Sequence, residues 1–161
     1  MRDDDIYIVD IDGTLIKYYY DDKKLLADRA MLNKVLGDAK PFPWVLESGI
    51  FDNRKKVVFV TGRLEESRQM THRWMKENLG LVNYELYLVP FTTADAYVSN
   101  KVKKVVEIMR SMDKNPCRVS KFVIIEDDVR ILDGLKKVRT ECGSGMEMWL
   151  VDKEGTRSPY P

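Results

Sequence analysis

The stretch IYIVDIDGTLI, residues 6–16, joins an apolar segment to two aspartates that are separated by one residue. Ile6 to Val9 has the apolar, β-branched character of a buried strand. Asp10 and Asp12 follow this segment at once, and two neighbouring carboxylates are unfavourable there unless another group neutralises them. The stretch therefore predicts a buried strand that ends in a functional site.

Composition bounds the class of protein. The chain has 161 residues, of which 44% are apolar and 33% are charged, so we expect one globular domain over residues 1–161. The net charge of +1 does not favour nucleic acid through bulk charge.

No apolar run approaches the roughly 20 residues of a membrane span, and MRDDD does not resemble a signal peptide. Cys117 and Cys142 are too isolated to indicate disulfides or zinc, so we expect a reducing, cytoplasmic location. Nothing in the sequence indicates the oligomeric state.

Further apolar runs follow the first and alternate with helical patterns. After residues 6–10, strands are predicted at VVFV (57–60), YELYLV (84–89), FVIIE (122–126) and MEMWLV (146–151). These runs lack strict in–out alternation, which is typical of parallel strands buried on both faces. The pattern predicts an α/β fold, a three-layer Rossmann-like domain with a parallel five-stranded sheet.

Helices are predicted between these strands. Apolar spacing indicates helices in residues 25–37, 64–80, 99–112 and 129–137, and a short helix that begins near Pro43. Gly80 is the expected stop of the second of these helices. Ser99 or Asn100 is the expected N-cap of the third.

Polar residues stand where three of the predicted strands end. Asp10 and Asp12 follow the first strand, Thr61-Gly62-Arg63 closes the second, and Glu126-Asp127-Asp128 closes the fourth. Ligands of open α/β sheets bind at this carboxyl edge, so we expect these residues to converge. Crowded carboxylates without histidine or cysteine favour a hard cation, and Mg²⁺ is the leading candidate.

The same residues suit phosphate chemistry. Glycine-rich turns beside a hard cation and a helix N-terminus favour a phosphate ligand. Of two aspartates one residue apart, one can attack phosphorus and the other can exchange a proton with the leaving oxygen. No phosphate-cradling kinase loop of the form GxxxxGK[ST] is present.

DIDGTL, VVFVTGR, a lysine that opens a later helix and VIIEDD together resemble the four motifs of the haloacid dehalogenase superfamily. The resemblance spans residues 6–151. It implies that Asp10 is the nucleophile and that Asp12 is the general acid/base and also a metal ligand through its backbone carbonyl. It further implies that Thr61 holds the transferring phosphoryl oxygens, together with Gly62.

The resemblance leaves three assignments open. The motif lysine is assigned to Lys101, with Lys103 and Lys104 as rivals. The last magnesium ligand is assigned to Asp127, with Asp128 as the alternative and one acid of the triplet expected to cap the next helix. Arg63 either binds the substrate phosphate or pairs with an acid.

TGRLEESRQMTHRWMKENLG and MEMWLVDKEG are similar to segments in the 3′-phosphatase domain of phage polynucleotide kinase. That narrower likeness implies a 3′-phosphorylated nucleic-acid end as the substrate. A minimal cap is also expected, because only 48 residues separate Asp12 from Thr61 and 37 separate Arg63 from Lys101. The basic residue that these phosphatases place shortly after the first motif is not found in IKYYYDDKK.

Alternative functions are a phosphatase for a phosphoprotein or a small phosphorylated metabolite, and a non-catalytic module that binds nucleic-acid ends. The intact pair of aspartates argues against the module. The run from Tyr18 to Tyr20 either stacks on unpaired bases or packs as part of a flap. His72 lies within a helical pattern and is expected to be structural or exposed.

Overall fold

The computed structural model describes residues 4–17, 28–113, 119–138 and 144–161. Strands and helices alternate along these residues. The strands are β1 (Asp4–Val9), β2 (Lys56–Thr61), β3 (Glu85–Leu88), β4 (Val119–Glu126), β5 (Gly145–Val151) and β6 (Arg157–Tyr160). The helices are α1 (Arg29–Asp38), α2 (Pro43–Glu47), α3 (Arg68–Leu79), α4 (Ala94–Asp113) and α5 (Val129–Val138), with a 3₁₀ turn at Glu65–Ser67.

The strands form one mixed sheet in the order β3-β2-β1-β4-β5-β6. All five predicted strands are present, and β1 to β5 are parallel. The prediction of a five-stranded, wholly parallel sheet is wrong in one respect, because β6 adds an antiparallel sixth strand beside β5. β6 has four residues and contains Pro159, and proline is tolerated at a sheet edge because no ladder donor is needed there. Such a short, polar segment lacks the apolar pattern from which the other strands are recognised.

The two faces of the sheet bury separate apolar clusters. One face packs Ile8, Phe122 and Ile124 with residues of α4 and α5, such as Met109 and Leu132. The opposite face packs core side chains with the segment after β1 and with α1, α2 and α3. Because alternate residues of a strand point to opposite faces, central strands covered on both sides are apolar throughout. The sheet thus lies between two layers of helices.

The observed helices confirm most of the predicted ones. α3 ends at Leu79 and is followed by the predicted stop Gly80, whose φ of 64° is left-handed, and Pro43 opens α2. The predicted start of α4 at Ser99 or Asn100 is wrong, since the helix begins at Ala94. Thr93 precedes that turn, and its hydroxyl accepts a hydrogen bond from the Ala96 backbone N–H. Hydrophobic spacing is absent from the first turn of α4, so the sequence placed the N-cap six or seven residues too late.

The predicted minimal cap depends partly on residues 18–27, which lie outside the described residues. This segment includes Tyr18 to Tyr20. The helices α1 and α2, which follow that segment, pack into the apolar cluster on their face of the sheet through Leu36 and Val45. Across the described ranges, no helix is long and apolar enough to cross a membrane.

Candidate active site

Acidic and basic side chains meet at the carboxyl edge of the central strands. Asp10 follows β1, Thr61 closes β2, and Glu126 closes β4. β1 lies between β2 and β4 and is parallel to both, so the residues after these strands share one edge of the sheet. The sheet therefore brings together the three groups that the sequence predicted to converge.

Asp10 is the centre of this group. Its side chain is 5% exposed; Oδ1 accepts a hydrogen bond of 2.5 Å from Lys101 Nζ, and Oδ2 accepts one of 3.2 Å from the Thr14 hydroxyl. Burial raises the pKa of Asp10 to about 7, even though the Lys101 charge acts in the opposite direction. The carboxylate is thus held by donors but still needs positive charge to remain ionised.

Lys101 supplies part of that charge. Its ammonium lies 2.8 Å from Glu126 Oε2 as well as 2.5 Å from Asp10. Burial acts to lower the pKa of Lys101, but the two carboxylates hold it well above its ordinary value. Of the three candidate lysines, Lys103 is exposed and Lys104 pairs with Glu107. Lys101 is therefore the lysine whose ammonium contacts Asp10.

The acids that follow β4 have different partners. Asp127 Oδ1 lies 3.1 Å from the same Thr14 hydroxyl, which places it beside Asp10; this hydroxyl has one proton and donates to one of the two carboxylates at a time. Burial, with the nearby charges of Asp10 and Glu126, raises the pKa of Asp127 to about 9. Asp128 instead caps α5 by accepting from the Arg130 backbone N–H, and it also pairs with the Arg130 side chain. Although burial acts against it, this bonding lowers the pKa of Asp128.

The turn after β1 is shaped to admit Asp127. Gly13 has a φ of +93°, and a Cβ there would lie 2.2 Å from Asp127 Oδ2. Glycine meets both requirements, because it tolerates positive φ and leaves room for close approach. The glycine and threonine of DIDGT thus hold the first and fourth strand ends together.

Three carboxylates form a candidate metal centre. Oxygens of Asp10, Glu126 and Asp127 lie within 4.8 Å of one another. An all-oxygen donor set is what Mg²⁺ and Ca²⁺ prefer, and the raised pKa values of Asp10 and Asp127 indicate that this cluster lacks enough positive charge by itself. The donor chemistry therefore fits a hard divalent cation. Glu126, which pairs with Lys101, was not predicted as a member.

Asp12 points to a different partner. Arg63 donates to both carboxylate oxygens of Asp12, through Nε at 2.8 Å and Nη2 at 2.7 Å. The guanidinium also donates to the Thr71 hydroxyl at 3.0 Å, and Thr71 in turn donates to the Ser67 carbonyl. Arg63 is only 1% exposed. The structure contains an ion pair of Arg63 with an acid, which is one of the two roles predicted for it.

Thr61 and Gly62 follow each other at the end of β2, and Gly62 lies against an aromatic ring. Thr61 is fully buried, and its hydroxyl accepts a hydrogen bond from the Arg63 backbone N–H. A Cβ on Gly62 would lie 3.0 Å from the ring and hydroxyl of Tyr97. The Tyr97 ring centroid is also 5.6 Å from Lys101 Nζ. A small residue is therefore required at Gly62 for Tyr97 to approach.

Sequence reasoning missed several contacts of this site. Thr14 and Glu126 lie inside the recognised motifs, so their positions were visible although their roles were not. Thr71 and Tyr97 are each the fourth residue of a helix, and no local pattern distinguishes them from ordinary helix residues. His72 is exposed and contacts the Tyr84 hydroxyl, away from this cluster. Cys117 and Cys142 lie outside the described residues.

Comparisons with known proteins support the fold. No family model matches the sequence, and a search of curated proteins finds no match. A chain in the structure of the Pnkp1/Rnl/Hen1 RNA repair complex matches with a TM-score of 0.58 at 16% identity. The match covers 92% of this chain but only 42% of that one. The HAD (haloacid dehalogenase) domain of effector protein Lem4 from Legionella pneumophila, an inactive mutant, matches with a TM-score of 0.54 at 14% identity. That match covers 96% of this chain and 89% of the other.

The chain has a haloacid dehalogenase-like α/β fold. The strand ends whose sequences resemble the motifs of that superfamily share the edge of the sheet at which Asp10 lies. The second neighbour is matched over nearly its whole length.

Proposed function

We propose that this chain is a magnesium-dependent phosphomonoesterase that works through a phosphoaspartate on Asp10. The observation that carries the proposal is the contact of Asp10 with Lys101 inside a group of three buried or nearly buried carboxylates. A structural salt bridge would need only one acid for one lysine. An excess of carboxylates around a single cation is unfavourable for stability, and such arrangements are typical of functional sites.

In the first half-reaction, a carboxylate oxygen of Asp10 attacks phosphorus. The bond between phosphorus and the leaving oxygen breaks, and Asp12 donates a proton to that oxygen. Lys101 stabilises the negative charge that spreads over the phosphoryl group, and Thr61 with the Gly62 backbone holds its oxygens. The bidentate pair with Arg63 keeps Asp12 oriented between these steps, and one Asp12 oxygen has to leave that pair to carry the proton.

In the second half-reaction, water attacks the phosphorus of the phosphoaspartate. Asp12 takes the proton of this water, and the bond between phosphorus and Asp10 breaks to release inorganic phosphate. The proton that Asp12 gives to the leaving oxygen is thus replaced by the proton that it takes from the water. These two proton transfers require one acid/base group within reach of both the leaving oxygen and the water.

The cation site in this proposal is formed by Asp10, the backbone carbonyl of Asp12 and Asp127, with Glu126 beside them. A bound Mg²⁺ would lower the pKa values of the carboxylates and offset the negative charge of the phosphoryl oxygens. Glu126 is already engaged by Lys101 and by the backbone N–H groups of Asp127 and Asp128. Its part is therefore to position Lys101 and the acidic turn.

The proposed substrate is a 3′-phosphate at the end of DNA or RNA. Two observations support this choice: the likeness to a chain of an RNA repair complex, and the short connections between the motifs, which leave little sequence for a lid. We further propose that residues 1–161 act as one domain, in the cytoplasm.

A substrate panel tests the proposal. Phosphate release should be measured with 3′- and 5′-phosphorylated oligonucleotides, a phosphopeptide and a sugar phosphate, with Mg²⁺ and with a chelator. The 3′-phosphorylated oligonucleotide should give the highest kcat/KM, because remote binding energy can be used at the reacting centre. Equal rates across the panel would contradict the nucleic-acid assignment.

The variant Asp10→Asn provides the chemical test. Its activity should fall by about 10⁴-fold or more, as expected when a covalent nucleophile is removed, while its circular dichroism spectrum stays that of the parent. Asp133→Asn, on the exposed side of α5, is a matched control that should keep full activity. A folded Asp10→Asn protein with substantial turnover would remove Asp10 as the nucleophile, and no turnover by the parent on any substrate would favour a binding module.

A further inference from the structure

Exposed apolar side chains follow the carboxyl ends of three strands of the sheet. Among the described residues, six large hydrophobic side chains are exposed. Three of them, Leu64, Phe91 and Val129, stand three residues after the last residues of β2, β3 and β4, respectively. A site for a small, fully polar phosphate ester would gain nothing from such a rim, whereas a substrate with an apolar ring would.

Phe91 is the aromatic member of this rim. It lies in the loop between β3 and α4 and is 54% exposed. Its ring centroid is 5.3 Å from that of Tyr97, with an interplanar angle of 45°. Tyr97 thus supports one side of the Phe91 ring, while much of the ring remains open to solvent.

Tyr97 connects this exposed ring to the reacting group. Its ring lies over Gly62 and beside Lys101, whose ammonium is 2.5 Å from Asp10. Burial and the charges of Asp10 and Glu126 raise the pKa of Tyr97, so its hydroxyl stays neutral. The path from Asp10 through Lys101 and Tyr97 to Phe91 therefore runs continuously from the buried carboxylates to the surface.

We propose that Phe91, supported by Tyr97, is a stacking platform for the nucleobase next to the phosphate that is removed. This inference rests on the proposed phosphatase function and adds a recognition site for the leaving group. Unpaired bases at nucleic-acid ends are recognised by stacking on aromatic side chains, largely without regard to sequence. The platform therefore predicts a preference for a terminal nucleoside over a bare sugar, with little preference among the four bases.

Two oligonucleotides test the platform, both with a 3′-phosphate and differing only in whether the terminal sugar carries a base or is abasic. The parent protein should cleave the base-bearing substrate with a kcat/KM roughly 5- to 150-fold higher, the range expected for one stacked base. In Phe91→Ala this ratio should fall close to one, and in Phe91→Trp it should persist. Val82→Ala, which removes an exposed side chain from the loop that precedes β3, should keep the parent ratio.

Binding supplies a readout that does not depend on turnover. A 3′-phosphorylated oligonucleotide with 2-aminopurine as the terminal base should lose fluorescence on binding to Asp10→Asn protein with Mg²⁺, because stacking quenches that base. The double variant Asp10→Asn/Phe91→Ala should not quench it.

The outcomes distinguish base stacking on Phe91 from the proposed phosphatase activity. Equal cleavage of base-bearing and abasic substrates by the parent, without quenching, would overturn the platform and leave the phosphatase intact. Equal loss of both activities in Phe91→Ala would overturn it too, since that result indicates a general structural effect. Quenching that needs Phe91, in a protein that releases no phosphate from any substrate, would support the platform and contradict the enzyme.

Discussion

The Arg63 side chain contacts both Asp12 and helix α3. It neutralises the buried carboxylate of Asp12 through two parallel hydrogen bonds, and it ties Asp12 to α3 through the Thr71 hydroxyl. Only a guanidinium offers this planar set of donors, so lysine is not an equivalent replacement. The same residue therefore links the proposed acid/base group to the packing of a helix.

The variant Arg63→Lys tests this link, and a surface pair provides a matched control. Lysine keeps the positive charge but loses one of the two hydrogen bonds to Asp12 and the bond to Thr71, so Arg63→Lys should lower the free energy of unfolding by roughly 1–3 kcal/mol and reduce kcat more than it raises KM. Arg54 makes the same two-donor contact with Asp52, but Arg54 is exposed. Arg54→Lys should change stability little. Equal effects of the two substitutions in urea unfolding would contradict a special role for burial.

The carboxylate of Asp127 lowers the free energy of unfolding when it is ionised. Its folded-state pKa of about 9 exceeds the ordinary 3.8, so the folded chain holds a proton that the unfolded chain releases. Without divalent cations, stability is therefore lost as the pH rises from about 4 towards about 9. Asp127→Asn, which keeps an acceptor for Thr14 without the charge, should melt at a higher temperature than the parent in chelator. This advantage should grow with pH over that window in differential scanning calorimetry, and a parent that melts higher at pH 8 would contradict it.

At the scale of secondary structure, contact between α4 and α5 depends on one glycine. A Cβ on Gly134 would lie 2.7 Å from Val102 Cγ2, whereas a Cβ on Gly37 in α1 would meet nothing closer than 3.5 Å. Both glycines are helical, and alanine is intrinsically preferred to glycine in a helix by about 1 kcal/mol. Gly134 lies inside α5 and Gly37 lies one residue before the end of α1, and the two positions differ in packing.

Gly37→Ala should stabilise the protein by up to about 1 kcal/mol. Gly134→Ala should destabilise it by roughly 1–2 kcal/mol, since overpacking of a filled interface outweighs propensity. The double variant Gly134→Ala/Val102→Ala should recover part of that loss, because the alanine side chain removes the clashing methyl. Denaturant unfolding of the four proteins measures these differences, and stabilisation by Gly134→Ala alone would show that Val102 relaxes freely.

For the whole molecule, the cation is expected to act as a component of the folded state. The carboxylates of Asp10, Glu126 and Asp127 converge from the ends of β1 and β4, and the unfolded chain has no such arrangement. A ligand that binds only the folded state at 100 times its dissociation constant adds about 2.7 kcal/mol. Mg²⁺ should therefore raise the melting temperature, and a chelator should reverse the rise.

Asp127→Asn should remove most of this magnesium response, and Asp128→Asn should keep it, because Asp128 is engaged by Arg130. Thermal shift at a series of Mg²⁺ concentrations measures the response of each protein. The opposite pattern, in which Asp128→Asn loses the response and Asp127→Asn keeps it, would show that Asp128 rather than Asp127 binds the metal.

Much of the fold follows from local sequence. Five apolar runs of the correct length and the turns between them predict the parallel strands, because a strand covered on both faces has to be apolar throughout. Gly80 and Pro43 mark helix ends through their own backbone preferences. β6 and the first turn of α4 were not predicted, since their positions depend on the β5 edge and on a cap rather than on hydrophobic spacing.

The sequence alone also identifies the acids of DIDGT and EDD and the TGR turn, because their spacing places them just after apolar runs. It does not decide which lysine reaches Asp10, which acid of EDD joins it, or what Arg63 contacts. Those choices depend on side-chain direction and distance across strands that are far apart in the chain. Lys101 and Asp10 lie 91 positions apart in the chain, and only the packing of α4 against the sheet brings them within hydrogen-bonding distance.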